Sequence, residues 1–421
     1  MSMIVPDEYL LKKEDEIIPD VENDWVEVRS DNAVLGNTIR HHYRNTNSYI
    51  NLSKSYLEIN FSVTANDTTH TISNHVLSLF RRATLKIGNV TCEQIENQHL
   101  NILVNSIIKY SQDYALSSGS NAMFYRDTGN GEIESNFTTN GLNPVGPGNL
   151  LNLNFNEGYQ RRLARTTGGG VVSCRVPLME VFQIASVDKL IYGQELEIEL
   201  VQAPDNERIY GGPDVLAPTI LVNKVSVWLN RVIPSKQNES VILKQIQAGV
   251  SYDFNFLYSN AYLSSPLQAS SQVVRISTQS ENVQFGYVMA VPTNFATNVS
   301  KSVTPNFIDS CNLLVDNIRF PVNRYENLTN ELGKARSFHA LSQMTNAFDL
   351  SSGLSLSFDD YKRCTIIPFD LQNKLKNVSG SATQIELEIT LNTACRVLVV
   401  LQSDRIVNIN YQGGNAVIKV N

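Results

Sequence analysis

The residues of this chain that could do acid–base or metal chemistry are few, and their spacing does not suit it. Two histidines are adjacent, His41-His42, and so are two carboxylates, Asp359-Asp360. Adjacent strand residues face opposite sides of a sheet, so the histidines do not offer two ligands to one metal. General acid–base work needs carboxylates that converge across a cleft, which sequence neighbours seldom do. We predict packing or solvated roles for the histidines and a turn or helix cap for the aspartates.

The remaining histidines and the short sequence motifs point the same way. His70, His75, His99 and His339 have no carboxylate or cysteine neighbour at ligand spacing. The sequence contains no phosphate-binding G-x-x-x-x-G-K-[ST], no G-x-G-x-x-G, no H-E-x-x-H and no G-x-S-x-G. We therefore predict no catalytic residues, no cofactor, no metal ligands and no enzymatic activity.

The cysteines are not arranged for disulfides or metal binding. Their number is odd and they are widely scattered: Cys92, Cys174, Cys311, Cys364 and Cys395. This spacing indicates neither a set of disulfides nor a Cys-x-x-Cys metal site. We therefore predict that each cysteine is a small buried hydrophobic residue of a protein kept in a reducing compartment, which implies synthesis inside a cell.

The charge balance disfavours coating of nucleic acid. The formal net charge is -7, with 34 Lys plus Arg against 41 Asp plus Glu, so no broad basic face for a phosphate backbone is indicated. One dense basic cluster, Arg161, Arg162 and Arg165, could meet a neighbour's acidic arm, internal nucleic acid or only solvent. No signal peptide and no apolar run of membrane-spanning length is recognised. Specific nucleic-acid binding and a transmembrane segment are not expected.

The elements that must position these residues are mostly strands. Period-two alternation runs through Tyr56 to Val63, Leu196 to Leu200 and many later segments, which is typical of antiparallel sheets. Helical periodicity is scarce: it predicts one helix from Glu93 to Tyr110 and a short one after Pro177. Many short strands with frequent turns predict sandwiches or barrels.

The length of 421 residues favours two domains. Residues 1–24 carry eight acids and little apolar material, so we predict an N-terminal arm that docks through the pairs Leu10-Leu11 and Ile17-Ile18. Residues 113–170 are punctuated by glycines and predict a loop-like excursion with a function at one end of a sandwich. We place the domain boundary at Pro234, giving domains 25–233 and 234–421.

An internal repeat supports the division. Arg175-Val176-Pro177-Leu178 precedes the alternating segment Glu195 to Leu200, and Ile366-Ile367-Pro368-Phe369 precedes Glu386 to Leu391. The prolines and the alternating segments are both 191 positions apart (368 − 177 and 386 − 195). This indicates that one supersecondary unit occurs twice in the same register.

Several segments of the first half, in their order, resemble a known family. They are Tyr49 to Ile59, Asn74 to Phe80, Phe124-Tyr125-Arg126-Asp127, and Val176-Pro177-Leu178 leading to Ile191 to Leu196. Together with the repeat they resemble double jelly-roll major capsid proteins, in particular those of polinton-like viruses, adintoviruses and virophages. The resemblance covers most of residues 25–233 and is thinner beyond.

The resemblance implies an all-β chain of two tandem eight-stranded antiparallel jelly rolls with a few short helices in loops. It further implies a structural subunit that trimerises into pseudo-hexameric capsomers, tiles an icosahedral shell in the virion together with penton or minor capsid proteins, and is assembled inside the host cell. Alternatives from the residues are a minor capsid or vertex protein, a receptor-binding, lectin-like sandwich, and an enzyme on a cupin-like double sandwich.

Overall fold

The structure is a computed structural model, and it describes most of the chain. The described residues are 22–31, 36–44, 48–63, 70–126, 157–211, 219–234, 236–249, 251–276, 282–293, 307–345, 357–362, 365–372, 384–412 and 415–420.

The strands up to residue 233 form a sandwich of two facing sheets, called here the first sandwich. Its strands are β1 (Glu22–Arg29), β2 (Thr38–Tyr43), β3 (Tyr49–Val63), β4 (His70–Ile72), β5 (Phe80–Ile87), β6 (Val90–Ile95), β7 (Val172–Pro177), β8 (Leu190–Tyr192), β9 (Leu196–Gln202), β10 (Ile209–Gly211) and β11 (Ile220–Ile233). One sheet has the order β1-β11-β3-β7, with β8 also on β3, and the other has the order β2-β9-β5-β6, while β4 and β10 pair in a separate two-stranded sheet. Their inner faces share one apolar core.

The strands from residue 251 onward form a second sandwich. They are β12 (Ser251–Leu263), β13 (Ser271–Ile276), β14 (Val283–Pro292), β15 (Ile308–Val315), β16 (Ile318–Tyr325), β17 (Ile367–Asp370), β18 (Ile385–Leu391), β19 (Cys395–Gln412) and β20 (Asn415–Val420). The sheets are β12-β19-β14-β17, with β20 on β19, and β13-β18-β15-β16. A second apolar core fills the space between them.

The two sandwiches have the same strand order. The main sheets of each sandwich contain eight strands: in the first they are β1, β2, β3, β5, β6, β7, β9 and β11, and in the second they are β12 to β19. When these strands are matched in chain order, each strand of the first sandwich has a counterpart in the second with the corresponding neighbours. All of these pairings are antiparallel, as in a jelly roll, whose two Greek keys alternate between the sheets. β9 and β18 are counterparts, as are the strands that contain Pro177 and Pro368. The predicted repeat is therefore a repeat of structure, and the fold is two tandem jelly rolls.

The α-helices lie in the connections between strands. They are α1 (Gln98–Lys109), α2 (Gln112–Leu116), α3 (Glu157–Thr166), α4 (Leu178–Val181), α5 (Asp205–Arg208), α6 (Lys236–Gln247), α7 (Glu331–Met344) and α8 (Phe358–Tyr361). α1 follows β6, and α7 follows the counterpart strand β16, so the same loop of each jelly roll carries a long helix.

Several sequence predictions need correction. The predicted helix from Glu93 begins at Gln98, because β6 pairs with β5 as far as Ile95 and Asn97 then adopts a left-handed conformation (φ 49°). Residues 22–24, assigned to the arm, belong to β1, where they pair with β11. The excursion is not loop throughout, since α2 and α3 form within it, and the helix α6 follows the predicted domain boundary at Pro234.

Candidate functional site

The adjacent histidines lie on opposite faces of β2. His41 is buried, and its Nε2 lies 3.1 Å from the carbonyl oxygen of Val225; burial lowers the pKa of its imidazole. His42 is on the solvent side between two carboxylates, in contact with Asp31 and 3.4 Å from an oxygen of Glu197. The predicted divergence of the pair is observed, but the carboxylates around His42 come from distant positions that spacing did not reveal.

Two other histidines also have carboxylate neighbours that the sequence did not indicate. His75 is fully buried and its Nε2 lies 3.0 Å from Glu180, while its Nδ1 accepts a hydrogen bond from the Leu77 amide, which assigns the proton to Nε2. His99 lies 3.4 Å from Glu207, and burial lowers the pKa of His99 to about 3. Across the described ranges, no three His, Cys, Asp or Glu residues are grouped so as to hold a metal ion.

The carboxylate of Glu180 is the centre of a buried polar cluster at the start of the excursion. It accepts hydrogen bonds from His75, from the Tyr110 hydroxyl at 3.2 Å and from the Tyr114 hydroxyl. The Phe124 ring packs edge-on against Tyr110 at 5.0 Å. Burial alone would raise the pKa of Glu180, but the three donors lower it below its usual range.

The remaining candidates make hydrogen bonds and ion pairs within the chain. In the basic cluster considered above for nucleic-acid binding, Arg162 is buried and donates a hydrogen bond to the Tyr125 carbonyl at 3.0 Å. Arg165 donates to the Ser120 carbonyl at 2.6 Å. Arg161 pairs with Glu157 one helical turn away, at 2.5 Å. Asp359 lies in α8 and pairs with Lys362 at 2.7 Å, as a local surface contact.

Four of the five cysteines confirm the prediction of burial. Cys92, Cys174, Cys311 and Cys395 are buried free thiols, and Cys364 lies outside the described residues. Burial raises the pKa of each described thiol, to about 12 for Cys92 and Cys174, so these sulfurs are protonated and unreactive at neutral pH.

An internal interface joins the two sandwiches. Side chains of α1, together with side chains of α7 and α8, cover the outer face of the sheet β12-β19-β14-β17 in one apolar cluster with Tyr287, Met289, Leu398 and Val400. Buried amides add hydrogen bonds there: Gln402 donates to Asn105 at 3.2 Å, and Ser259 donates to Asn101 at 3.0 Å. The first half of β12 and the end of β19 extend into the first core. The sandwiches are therefore joined by an apolar, hydrogen-bonded seam.

Two outer faces carry matched ladders of charge. On β2-β9-β5, Glu199 lies between Arg40 at 2.8 Å and Arg82 at 2.7 Å. On the counterpart sheet, two glutamates of β18 pair with arginines of the flanking strands: Glu386 with Arg275 at 3.1 Å and Glu388 with Arg319 at 3.3 Å. Exposed pairs of this kind contribute little to stability, but they keep both faces hydrophilic.

A third outer face, on β1-β11-β3-β7, carries aromatic rings beside a charge network in which Lys224 bridges Glu27 at 2.8 Å and Glu58 at 3.0 Å. Trp25 lies 5.3 Å from Tyr56, which stacks at 6.0 Å on Trp228. The guanidinium of Arg175 lies 5.4 Å from the Tyr56 ring centroid. Trp25 is 44% exposed, whereas Tyr56 and Trp228 are half-buried. Trp25, Tyr56, Trp228 and Arg175 are called here the aromatic face.

Parts of two predicted segments lie outside the described residues. These are residues 1–21 of the arm and residues 127–156 of the excursion, so the docking predicted for the arm and the function predicted for the excursion stay predictions. A search of the described helices finds none with the length and apolarity needed to cross a membrane.

Comparison with known proteins gives matches by structure only. No protein-family model and no curated protein sequence matches the chain. Among solved structures, the chain is similar to one from the cryo-EM structure of the Sputnik virophage (TM-score 0.60, 10% identity, 96% of this chain and 88% of that one). It is also similar to the Faustovirus major capsid protein (TM-score 0.54, 9% identity, 94% and 91%) and to the mavirus major capsid protein (TM-score 0.52, 10% identity, 94% and 90%).

These matches span nearly the whole of both chains, so they include both sandwiches and the connection between them. They agree with the strand order found above in each half. The chain therefore has the double jelly-roll fold found in these viral capsid structures.

Proposed function

We propose that the protein is a major capsid protein, a structural subunit that trimerises into pseudo-hexameric capsomers and tiles an icosahedral virus shell. The observation that carries the proposal is the presence of two jelly rolls of identical strand order in one chain. The match over full length to major capsid proteins of Faustovirus and mavirus supports it. The protein's place is then the virion, after assembly inside the host cell.

The duplicated sandwich explains how such a subunit could tile. Each chain contains two similar jelly rolls, and each jelly roll forms one corner of the assembly. Three chains around a three-fold axis therefore form six similar corners. The result is a closed cyclic assembly with a near-hexagonal outline, able to occupy six-fold positions of a lattice. Contacts of this obligate kind bury on the order of 2,000 Å² or more per pair.

In this function, the two domains and the N-terminal arm have different roles. Residues 25–233 and 234–421 are the two jelly-roll domains, and the preceding arm contacts neighbouring subunits. The partners are other copies of the chain and, at special positions of the shell, penton or minor capsid proteins. No catalysis or cofactor belongs to this function. A minor capsid or vertex protein, or a receptor-binding lectin-like sandwich, does not call for two matched jelly rolls.

Negative-stain microscopy and light scattering of the purified full chain test the proposal. We expect particles with three-fold symmetry and a hexagonal outline, with a mass of three chains of 47.0 kDa each. A well-folded monomer at micromolar concentration that forms no larger particle under any assembly condition would overturn it.

A further inference from the structure

The two jelly rolls contain equivalent tyrosines in very different surroundings. Tyr56 pairs with Pro177 across β3 and β7, and Tyr287 pairs with Pro368 across the counterpart strands β14 and β17. On the other side, Tyr56 pairs with Trp228 of β11, and Tyr287 pairs with Val400 of β19. Register therefore makes Tyr56 equivalent to Tyr287.

The strand pairing also relates the next strand of each sheet, β1 in the first sandwich and β12 in the second. Trp228 pairs with Glu27 of β1, and Val400 pairs with Ala261 of β12. The outer face around Tyr56 thus corresponds strand by strand to the outer face around Tyr287.

The face of the second sandwich is covered, whereas that of the first is open. Tyr287 is 4% exposed and Val400 is 0% exposed, because they belong to one apolar cluster with side chains of α1 of the first sandwich and of α7 and α8 of the second. No helix in the described part of the chain packs over Trp25 and Tyr56 in the same way, and the indole of Trp25 is 44% exposed. Among the described residues, only the face of the second sandwich has such a cover.

The open face has the composition of a binding hot spot. Tryptophan, tyrosine and arginine are the residue types most enriched where binding energy concentrates. The aromatic face consists of two tryptophans, one tyrosine and Arg175 above the tyrosine ring. The same sheet also carries the ion pairs of Lys224 with Glu27 and Glu58, so the aromatic rings occupy one part of the face beside a charged part.

Because α1 contributes to the cover of the second sandwich, the helix equivalent to α1 is the element that would cover the first sandwich. α1 follows β6, and its counterpart α7 follows β16. The corner between β16 and α7 exposes two large apolar side chains, Val322 at 87% and Leu332 at 83%. Arg336 fixes α7 on this strand through hydrogen bonds of 2.7 and 2.8 Å to the carbonyls of Asn323 and Arg324.

We propose that the aromatic face binds the corner of β16 and α7 of a second copy of the chain. Within a subunit, the first sandwich covers the second through α1. Between subunits, the second sandwich of one copy covers the first sandwich of the next through α7. Repeating this head-to-tail contact three times closes a ring of six sandwiches. The inference rests on the proposed capsomer and specifies its intersubunit contact.

Intrinsic fluorescence reports on this face directly, because Trp25 and Trp228 are the only two tryptophans of the 421-residue chain. The double variant Val322→Glu/Leu332→Glu changes only the opposite side of the contact and leaves both tryptophans in place. We expect it to be a monomer by light scattering. Its tryptophan emission should lie at longer wavelength than that of the wild-type trimer, and acrylamide should quench it several-fold more strongly.

Variants of the other side show whether the contact is head-to-tail. Trp25→Glu should also be a monomer. An equimolar mixture of the two variants should give heterodimers and no trimers, because one unaltered interface remains. Leu116→Glu is the matched control, since Leu116 is 64% exposed and lies outside the proposed contact; it should remain a trimer. Unfolding midpoints close to that of the wild type show that each variant folds.

The outcomes separate this inference from the proposed function. If the wild type is a trimer and both Trp25→Glu and the double variant are trimers too, the contact is wrong and the capsomer stands. Identical emission and quenching of trimer and monomer would also overturn the contact. A wild-type protein that stays monomeric would overturn the capsomer itself.

Discussion

Arg405 of β19 places its guanidinium carbon 3.7 Å from the centre of the Tyr258 ring of β12, at the seam between the sandwiches. The same guanidinium donates to the carbonyl of Cys92 at 3.1 Å, and the Tyr258 hydroxyl donates to the carbonyl of Gln94. Both acceptors lie on β6, so one stacked pair of the second sandwich is bonded to a strand of the first. The sandwiches are thereby tied by polar contacts in addition to the apolar cover of α1.

Replacing Arg405 by Met should weaken this seam. The change removes a partly desolvated cation–π contact and leaves the Cys92 carbonyl without its donor, which together cost about 2 kcal/mol of unfolding free energy. Denaturant unfolding followed by circular dichroism measures the loss. Arg275→Met is the control, because that side chain is 84% exposed on a charge ladder, and its cost should stay within about 0.5 kcal/mol. Equal effects of the two changes would contradict the role of Arg405.

Glu93 should make stability depend on pH near neutrality. Its carboxylate is fully buried and accepts hydrogen bonds from the amides of Gln183 at 3.0 Å and Ile184 at 2.5 Å. Burial raises its pKa from 4.5 to about 7. Between these values the folded state holds a proton that the unfolded state has released, so stability falls as pH rises from about 4.5 to about 7.

The variant Glu93→Gln cannot titrate at this position. We expect the unfolding free energy of the wild type to fall by up to about 3 kcal/mol relative to that of the variant as the pH rises through this window. Denaturant titrations at half-unit pH intervals give both curves. Parallel curves would show that the Glu93 carboxyl does not carry the effect.

The fold was largely predictable because its signals are local or periodic. Alternation over Leu196 to Leu200 and Glu386 to Leu391 depends only on which face of a strand is buried, and the offset of 191 relates two copies of one unit. Helix boundaries were less predictable: the apolar spacing after Glu93 suits a helix, but β5 supplies a pairing partner as far as Ile95. Tertiary pairing therefore overrides the local pattern there.

The side-chain clusters were not predictable, because their members are far apart in sequence. Glu180 lies 105 positions from His75 and 66 from Tyr114. Trp25 and Trp228 share a face only because β1 pairs with β11 in one register. Spacing rules find ligand sets that lie on one element, whereas these sets form when the sheets close.

Glu180 should anchor the start of the excursion. In Glu180→Gln the charged acceptor is replaced by an amide, so the hydroxyls of Tyr110 and Tyr114 and the imidazole of His75 lose a strong partner. A loss of about 3 kcal/mol in unfolding free energy is expected at pH 7. Tyr114→Phe removes one donor only and should cost less.

The pH dependence of this site has the opposite sign to that of Glu93. The donors hold the pKa of Glu180 below its usual 4.5, so its contribution is complete above that value and is lost as acidification protonates the carboxylate. The difference in unfolding free energy between the wild type and Glu180→Gln should therefore narrow as the pH falls below 4.5 and the carboxylate is protonated. Limited proteolysis gives a second readout, with faster cleavage within residues 113–170 of the variant. Unchanged cleavage and a pH-independent gap would refute the anchoring role.

Deletion of the arm tests its role in assembly. The appropriate truncation removes residues 1–21, since Glu22 to Asp24 pair with β11, and their loss would shorten the edge of the sheet that carries Trp25. The arm combines acidic residues with the pairs Leu10-Leu11 and Ile17-Ile18, a composition that gains stability only by docking on a folded surface. Because the intersubunit contact inferred above uses none of these residues, the truncated chain should still form the trimer and keep the tryptophan emission of the wild-type trimer.

The truncated chain should assemble into shells poorly, as measured by light scattering and electron microscopy under conditions where the full chain assembles. A truncated chain that forms shells as well as the full chain would exclude an assembly role for the arm, and one that fails to trimerise would move the arm into the capsomer contact itself.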